Sequence, residues 1–215
     1  MLMNRKHFLV GYKVLFAALG LTAIVTEITV GLSRGVFVPA NFFSFFTVEA
    51  NIFAALVLLA SAFATMRNKS IMGLALLRGA ATLYMITTGV VFGVLLSGYD
   101  PSLLTLVPWD NTVLHYIIPV AVLVDWLIDV PPRRIVFKRS LIWLVFPILY
   151  LIYSLIRGDA VGWYPYPFLN PAEGGYGKVF IVAIGIALMA SFVAFLLASS
   201  TNNSLTGKPR LRSKK

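Results

Sequence analysis

Residues 178–199 read KVFIVAIGIALMASFVAFLLAS, and after Lys178 this stretch contains no charged residue and no proline. At about 1.5 Å of rise per residue, a helix of this length crosses the ~30 Å hydrocarbon core of a bilayer. Further apolar runs precede it, at about residues 8–31, 41–65, 72–97, 112–129 and 139–157. The sequence therefore predicts an all-α, polytopic membrane protein with six transmembrane helices.

The composition of the whole chain favours the same class. Of the 215 residues, 59% are hydrophobic and 12% are charged, whereas soluble domains are usually about 25% charged. Because six spans with short connections use nearly all of the chain, we expect a single six-helix domain over residues 1–199. A basic, flexible cytoplasmic tail is expected over residues 200–215.

Lys and Arg are distributed unevenly among the connections between the runs. The N-terminal segment, the second and fourth connections and the tail hold Arg5, Lys6, Arg67, Lys69, Arg133, Arg134, Lys138, Arg139, Lys208, Arg210, Arg212, Lys214 and Lys215. The third connection (98–110) and the fifth (158–177) hold none, and the first offers only Arg34. Since basic loops stay in the cytoplasm, both termini are predicted to be cytoplasmic.

This distribution also explains the formal charge of +10 without nucleic acid as a partner, because the basic residues gather at the ends of apolar runs. Membrane lipids are the expected partners. Arg5 and Lys6 before an apolar run also occur in secretory signals. The run here is longer than the ~7–15-residue core of a signal, so we interpret it as the first span.

Some chemistries are excluded by residue counts. The chain has no Cys, and its two histidines are His7 and His115. Thiolate catalysis, disulfides, haem ligation by a His pair and a hydrolytic zinc with about three protein ligands are therefore not expected. We expect no metal and no cofactor.

Ionisable residues inside spans are costly and tend to be paired or functional. Near the cytoplasmic face, Arg78 and Asp125 fall at similar depth, so we expect a buried, structural ion pair between them. Lys13 is expected to extend its side chain to the inner interface.

Near the outer face, two pairs of polar residues are each four positions apart and so share a helix face. Thr47 and Asn51 lie on the second helix, and Asn111 and His115 lie on the fourth. Thr47 and His115 should lie about 9 Å and about 6 Å below the outer boundary. The two side chains could therefore meet if these helices are neighbours.

Two carboxylates, Glu27 and Glu49, fall in the same layer, although a two-residue offset turns Glu49 away from Thr47. A hydroxyl, an imidazole and a carboxylate at one depth are the components of nucleophilic catalysis. The plainer alternative is that Thr47 bonds the carbonyl four residues earlier and that His115 only bridges two helices.

Residues 162–171, GWYPYPFLNP, form an aromatic, proline-rich fifth connection. One interpretation is an aromatic belt at the membrane interface. The other is a semi-rigid lid over a cavity that faces outward, formed by Trp163, Tyr164, Tyr166 and Phe168.

Three stretches carry a resemblance to a known family: NFFSFFTVEANIFAALVLL (41–59), WDNTVLHYIIPVAVLVDWLID (109–129) and YSLIRGDAVGWYPYPFLNP (153–171). They resemble the androgen-induced, six-span membrane family, most closely its uncharacterised bacterial members, and the likeness runs over most of residues 10–197. In the animal members, the implied activity is hydrolysis of fatty acid esters of hydroxy fatty acids by a threonine nucleophile assisted by a histidine.

The resemblance implies a threonine-type carboxylic ester hydrolase near the outer leaflet of a cell membrane, the inner membrane in bacteria. Thr47 matches the nucleophile and His115 the histidine. We further expect Asn51 or Asn111 to stabilise the oxyanion and Glu27 to orient His115. The alternative is a non-enzymatic membrane protein, either a small transporter or a module that binds lipids or a partner. The physiological substrate and the oligomeric state are not predicted.

Overall fold

The computed structural model describes residues 5–99, 105–131 and 133–206, with side chains described as far as Thr201. Six helices are long and apolar enough to cross a membrane. They are α1 (Arg5–Ser33), α2 (Phe46–Met66), α3 (Met72–Leu96), α4 (Pro108–Ile128), α5 (Phe137–Val161) and α6 (Gly175–Thr206). No β-strand occurs among the residues described. The predicted all-α, polytopic class is confirmed.

Two helix boundaries differ by five residues or more from those predicted. α2 begins at Phe46 rather than near Asn41, because Pro39–Phe42 forms a separate helical turn and Phe45 has an extended backbone. The phenylalanines around this break are as apolar as the interior of a transmembrane helix, so hydropathy alone did not reveal the break. α6 continues to Thr206, so the first residues of the predicted tail are helical. Residues 207–215 of that tail lie outside the described residues.

The spans form a bundle in which α1 to α4 are the most closely packed. α1 packs against α2 and α4, while α3 packs against α2, α4 and α6. Small side chains allow this proximity, since Ala17, Ala50 and Ala54 are fully buried. At Gly79 of α3, an added Cβ would lie 2.1 Å from the ring of Trp143, which shows how closely the start of α5 approaches. Taken as a whole, α5 is nevertheless the least buried of the six spans.

A charged cluster joins α1, α3 and α4. Arg78 Nη2 lies 2.8 Å from Asp125 Oδ2, the contact that their depths predicted, and 3.4 Å from Asp129 Oδ2. Lys13 Nζ donates to Asp125 and, at 2.8 Å, to Asp129. The prediction that Lys13 reaches the interface was wrong, because the carboxylates of Asp125, in the last turn of α4, and of Asp129, just after its end, hold the fully buried ammonium.

Two wide, π-helical turns interrupt the spans on either side of one site. One covers Val113–Ile117 of α4, just before Pro119, and the other covers Phe92–Leu96 at the end of α3. Proline has no N–H group to donate to the preceding turn, so a wider turn beside it accommodates the missing backbone hydrogen bond. These turns carry His115 and Phe92, whose rings stack with centroids 4.0 Å apart.

Candidate active site

Thr47 lies in the first turn of α2 and is buried. Several threonines of the spans follow the plainer alternative: Thr26, Thr29, Thr65 and Thr82 each donate to the carbonyl four residues earlier. Thr47 does not, because that carbonyl would precede the helix. Its Oγ1 instead lies 3.1 Å from Nε2 of His115 and 3.3 Å from the hydroxyl of Tyr166.

The hydrogen bond made by the second ring nitrogen of His115 determines which of the two nitrogens carries the proton. Nδ1 lies 3.1 Å from the carbonyl oxygen of Asn111. A carbonyl oxygen only accepts, so Nδ1 must carry the proton and Nε2 is left as the acceptor. Nε2 therefore faces the hydroxyl of Thr47 in the state that can remove its proton. A base that is oriented by a third group and bonded to a hydroxyl has the geometry of an activated nucleophile.

Tyr166 completes this chain of hydrogen bonds from the fifth connection. Its hydroxyl accepts from the backbone N–H of Thr47 at 3.2 Å. Since the hydroxyl proton of Thr47 is directed at His115, the remaining bond at 3.3 Å has Tyr166 as donor and Thr47 Oγ1 as acceptor. Burial raises the pKa of the Tyr166 phenol above its usual value of about 10, so it remains a protonated donor.

A second tyrosine satisfies the neighbouring backbone group. The hydroxyl of Tyr150, on α5, accepts from the N–H of Phe46 at 3.2 Å and donates to the carbonyl of Ser44 at 2.9 Å. The first N–H groups of a helix have no partner within it. At the start of α2, the N–H groups of Phe46 and Thr47 are hydrogen-bonded to the phenol oxygens of Tyr150 and Tyr166. The two tyrosines therefore hold the turn containing Thr47 in place.

The two predicted oxyanion residues have different surroundings. Asn51 Nδ2 donates to the carbonyl of Thr47 at 2.8 Å and to that of Leu114 at 3.2 Å. Both of its N–H groups are used, so Asn51 links α2 to α4 and is not free to stabilise an oxyanion. Asn111 lines a cavity beside His115, and its buried Oδ1 has no hydrogen-bond partner among the residues that the structure describes.

The predicted carboxylates do not contact His115. Glu27 accepts from the hydroxyl of Thr105 at 3.0 Å and from the N–H of Leu106 at 2.7 Å. The expectation that Glu27 orients the imidazole is therefore corrected: the third connection passes over Glu27, and the carbonyl of Asn111 takes that role. Glu49 points elsewhere, as its offset indicated, and within the described part of the chain its buried Oε2 has no hydrogen-bond partner.

Two cavities meet at this site. An apolar chamber of about 140 Å³ lies between α2, α3, α5 and α6. A more polar vestibule of about 400 Å³ lies under the third and fifth connections. The two cavities share Thr47, Phe92, Leu96, His115 and Tyr166 as lining residues. Thr47 and His115 thus lie where an apolar space joins a more polar one.

The aromatic fifth connection covers the site, and its four predicted lid residues divide between the cavities. Trp163 and Tyr164 line the vestibule, Phe168 lines the chamber, and Tyr166 lines both. The rings of Tyr166 and Phe168 stack with centroids 5.2 Å apart. Tyr164 packs so closely on Gly158 that an added Cβ would lie 2.1 Å from its ring. The connection is therefore packed onto the bundle at several points.

The hydrogen bonds of Tyr150 and Tyr166 to α2 were not predicted from the sequence. Tyr166 was grouped with the lid because of its ring, and no pattern in the sequence indicates that a hydroxyl 119 positions from Thr47 reaches it. Asp110 was also missed as a buried group: it is fully buried, and its carboxyl group lies close enough to that of Glu27 for the two to interact.

Within the part of the chain that the structure describes, no group of three or more His, Asp or Glu side chains could hold a metal ion. Comparison of the chain with protein-family models, with curated proteins and with solved structures finds no match.

Proposed function

We propose that this chain is an integral membrane hydrolase of fatty acyl esters in which Thr47 is the nucleophile and His115 is the general acid and base. The observation that carries the proposal is the directed chain of hydrogen bonds from Tyr166 to Thr47 Oγ1, from Thr47 to His115 Nε2, and from His115 Nδ1 to the Asn111 carbonyl. A hydroxyl bonded to an oriented base is within the distance that proton transfer requires.

In the first half of the reaction, Thr47 Oγ1 attacks the ester carbonyl carbon while its proton passes to His115 Nε2. The tetrahedral intermediate collapses, the bond to the alcohol oxygen breaks, and His115 returns the proton to the departing alcohol. In the second half, water attacks the acyl-threonine and gives its proton to His115. Release of the fatty acid returns the proton to Thr47, so no cofactor is consumed.

The developing oxyanion needs a donor, and Tyr166 is the best supported one. Its O–H already points at Thr47 Oγ1, and a small rotation would turn it to an oxygen bonded to the attacked carbon. Thr47 also lies in the first turn of α2, where the helix dipole favours negative charge. This role replaces the one that was expected of Asn51.

The two cavities suggest separate binding sites for the two parts of the ester. The apolar chamber suits an acyl chain, and its outer wall is formed by α5 and α6, the spans with the largest share of their surface facing outward. The vestibule suits the alcohol and the attacking water. A lipid could therefore enter from the bilayer while water is supplied from the other side.

The membrane and the family remain part of the proposal. We infer that the chain belongs with the bacterial members of the androgen-induced, six-span family and resides in a bacterial inner membrane with both termini cytoplasmic. The support is the match at Thr47 and His115 together with the basic residues of alternate connections.

A fluorophosphonate probe of the serine-hydrolase type tests the chemistry directly. The wild type should be labelled and should hydrolyse acyl esters, whereas Thr47→Ala and His115→Ala should each lose both properties. The double variant should be little worse than either single one, because the residues act as a unit. Thr65→Ala is the matched control, since Thr65 lies on the same helix and bonds its own helix carbonyl.

Thr47→Ser should retain some activity because the hydroxyl survives. If the wild type is neither labelled nor active on any acyl ester, the non-enzymatic alternative replaces the hydrolase, and the polar layer is then a site that binds a solute or joins helices.

The role of Tyr166 is tested by Tyr166→Phe, which removes only the hydroxyl. We expect kcat to fall by about a hundredfold or more, as for other lost oxyanion donors. Because burial raises the Tyr166 pKa, the wild type should show no loss of activity between about pH 8 and 10 through ionisation of this phenol. Tyr150→Phe is the control, since Tyr150 also bonds the α2 backbone but not Thr47 Oγ1. Equal losses of kcat in the two variants would indicate that Tyr166 only caps the helix.

A further inference from the structure

The wall of the apolar chamber contains two hydroxyl groups that are not used within the protein. Thr87 and Thr88 are consecutive residues of α3, both line the chamber, and only 5% and 4% of their surfaces are exposed. Neither hydroxyl has a hydrogen-bond partner among the residues that the structure describes. A buried hydroxyl without a partner costs stability, so a pair of them in one cavity requires an explanation.

These two threonines are exceptions on their own helix and in their own cavity. Thr82, five residues before Thr87 on α3, donates to the carbonyl of Arg78 at 2.8 Å. The other polar side chains of the chamber wall all have hydrogen-bond partners, namely Thr47, His115, Tyr150 and Tyr166. The hydroxyls of Thr87 and Thr88 are therefore the donors that the chamber holds in reserve for a ligand.

The position of Thr88 on α3 places it close to the ester. Thr88 lies four residues before Phe92 and so shares its helix face, and the ring of Phe92 stacks on that of His115. At the neighbouring Gly89, an added Cβ would lie 3.3 Å from the carbonyl oxygen of His115. Thr88 is about 6 Å from Phe92 along the helix, toward the middle of the span. A substrate atom that reaches Thr88 is therefore only a few atoms from the ester carbonyl.

The rest of the chamber offers no competing polar partner in that direction. Its remaining lining, as far as the chain is described, is formed by apolar and aromatic side chains from α3, α5 and α6, such as Val91, Leu144, Leu151 and Ala190. An oxygen atom carried into this space would lose its bonds to water unless it met Thr87 or Thr88.

We propose that Thr87 and Thr88 bind an oxygen on the acyl part of the ester, so that the preferred acyl group is a hydroxyacyl chain with its hydroxyl a few atoms from the carbonyl. This inference deepens the proposed function and rests on it for the position of the ester. A substrate hydroxyl both donates and accepts, so it satisfies both threonines at once. An unsubstituted chain leaves both of them buried and unpaired. The inference concerns the acyl part alone and leaves the alcohol open.

The test compares methyl esters of dodecanoic acids that differ in one substituent. The 3-hydroxy acid supplies the oxygen, and the 3-methyl acid supplies a group of similar size that forms no hydrogen bond. The 12-hydroxy acid has its hydroxyl at the far end of the chain. Release of the acids is measured by mass spectrometry. We expect kcat/KM for the 3-hydroxy ester to exceed that for the 3-methyl ester by about tenfold or more, because a site that hydrogen-bonds a substrate hydroxyl discriminates against analogues that lack it. The 12-hydroxy ester should have no advantage over dodecanoate.

Three valine variants locate the selectivity. Thr87→Val and Thr88→Val each replace a hydroxyl by a methyl of the same shape, and each should lower the preference for the 3-hydroxy over the 3-methyl ester several-fold. The double variant should bring this ratio close to one. Thr82→Val is the matched control, since Thr82 is buried on the same helix but does not line the chamber, and its ratio should stay at the wild-type value.

Unfolding of the protein without substrate gives a second measurement. Thr88→Val should not destabilise this state, because the hydroxyl has no partner within the described ranges, whereas Thr82→Val should, because it removes a hydrogen bond. Thr88→Val and Thr82→Val that are destabilised equally would show that the Thr88 hydroxyl is already bonded inside the protein, and the inference would then fail.

The failure of the inference is distinguishable from the failure of the hydrolase. If the esters are hydrolysed but the 3-hydroxy and 3-methyl esters are equally good substrates, the inference is overturned and the hydrolase stands. If no ester is hydrolysed, the chamber is tested by the corresponding dodecyl methyl ethers, added to the protein in nanodiscs. Greater thermal stabilisation by the 3-hydroxy ether than by the 3-methyl ether, lost in the double variant, supports the subsite, and equal stabilisation overturns it.

Discussion

The charged cluster of α1, α3 and α4 allows a quantitative prediction of stability. It contains two cations, Lys13 and Arg78, and two anions, Asp125 and Asp129, so it is neutral as a whole. Asp125 contacts both cations. Asp125→Ala should therefore leave one uncompensated positive charge beside a fully buried lysine, and we expect the free energy of unfolding to fall by about 3–5 kcal/mol. Asp129→Ala should cost less, because 27% of that side chain is exposed and water can replace it.

The contacts also identify the double variant that should recover the loss. Arg78→Met with Asp125→Leu removes one cation and one anion and leaves Lys13 paired with Asp129 at 2.8 Å. This neutral remainder should be within about 1–2 kcal/mol of the wild type, since buried pairs are often replaced by apolar residues at little cost. Unfolding in mixed micelles by titration with sodium dodecyl sulfate, followed by circular dichroism, measures these differences. If the effects of the two single changes simply add in the double variant, within about 0.5 kcal/mol, the cluster is not an interacting unit and our reasoning fails.

Three further predictions concern packing and topology. Gly158→Ala should destabilise the protein by about 1–3 kcal/mol, because the new methyl would overlap a tyrosine ring of the covering connection. Gly93→Ala is the control, since no described atom lies within 4 Å of its added Cβ, and equal thermal stability of the two variants would contradict the described packing. Thr87→Val should be neutral or stabilising in the same unfolding assay, since the buried hydroxyl has no hydrogen-bond partner in the described ranges and valine has the same shape. A loss above about 1 kcal/mol would reveal a bond to that hydroxyl. Cysteine at Ala172 should react with a membrane-impermeant maleimide added outside intact cells, and cysteine at Ser70 should not; the opposite result would invert the predicted orientation.

The number and type of the helices could be predicted because each apolar run is long enough to need no tertiary context. The start of α2 could not, since residues 43–45 are aromatic or small whether the backbone is helical or extended. Lys13 shows a similar limit. The depth of Lys13 could be predicted from the sequence. The carboxylates that keep it buried could not, because they depend on which face of α1 meets α4.

The candidate site was partly predictable for the same reason. Position along a membrane helix converts to depth at a known rise per residue, so the sequence alone places Thr47 and His115 in one layer. Where a side chain lies within that layer, and which neighbour it contacts, follows from no comparable rule. Glu27 shares the depth of the pair but bonds the third connection, whereas Tyr166 comes from a connection whose path the sequence does not define.

The first turn of α2 owes its hydrogen bonds to residues outside that helix, and this has a consequence for turnover. Tyr150, which holds the N–H of Phe46, belongs to α5, the span with the least support from its neighbours. In the proposed hydrolase, an outward movement of α5 that admitted a lipid would also withdraw this phenol from the turn that carries Thr47. Lipid entry and the ordered state of that turn would then exclude one another, and the reaction would require α5 to return. The proposal therefore implies that the fluidity and lateral pressure of the surrounding lipid would influence turnover through α5.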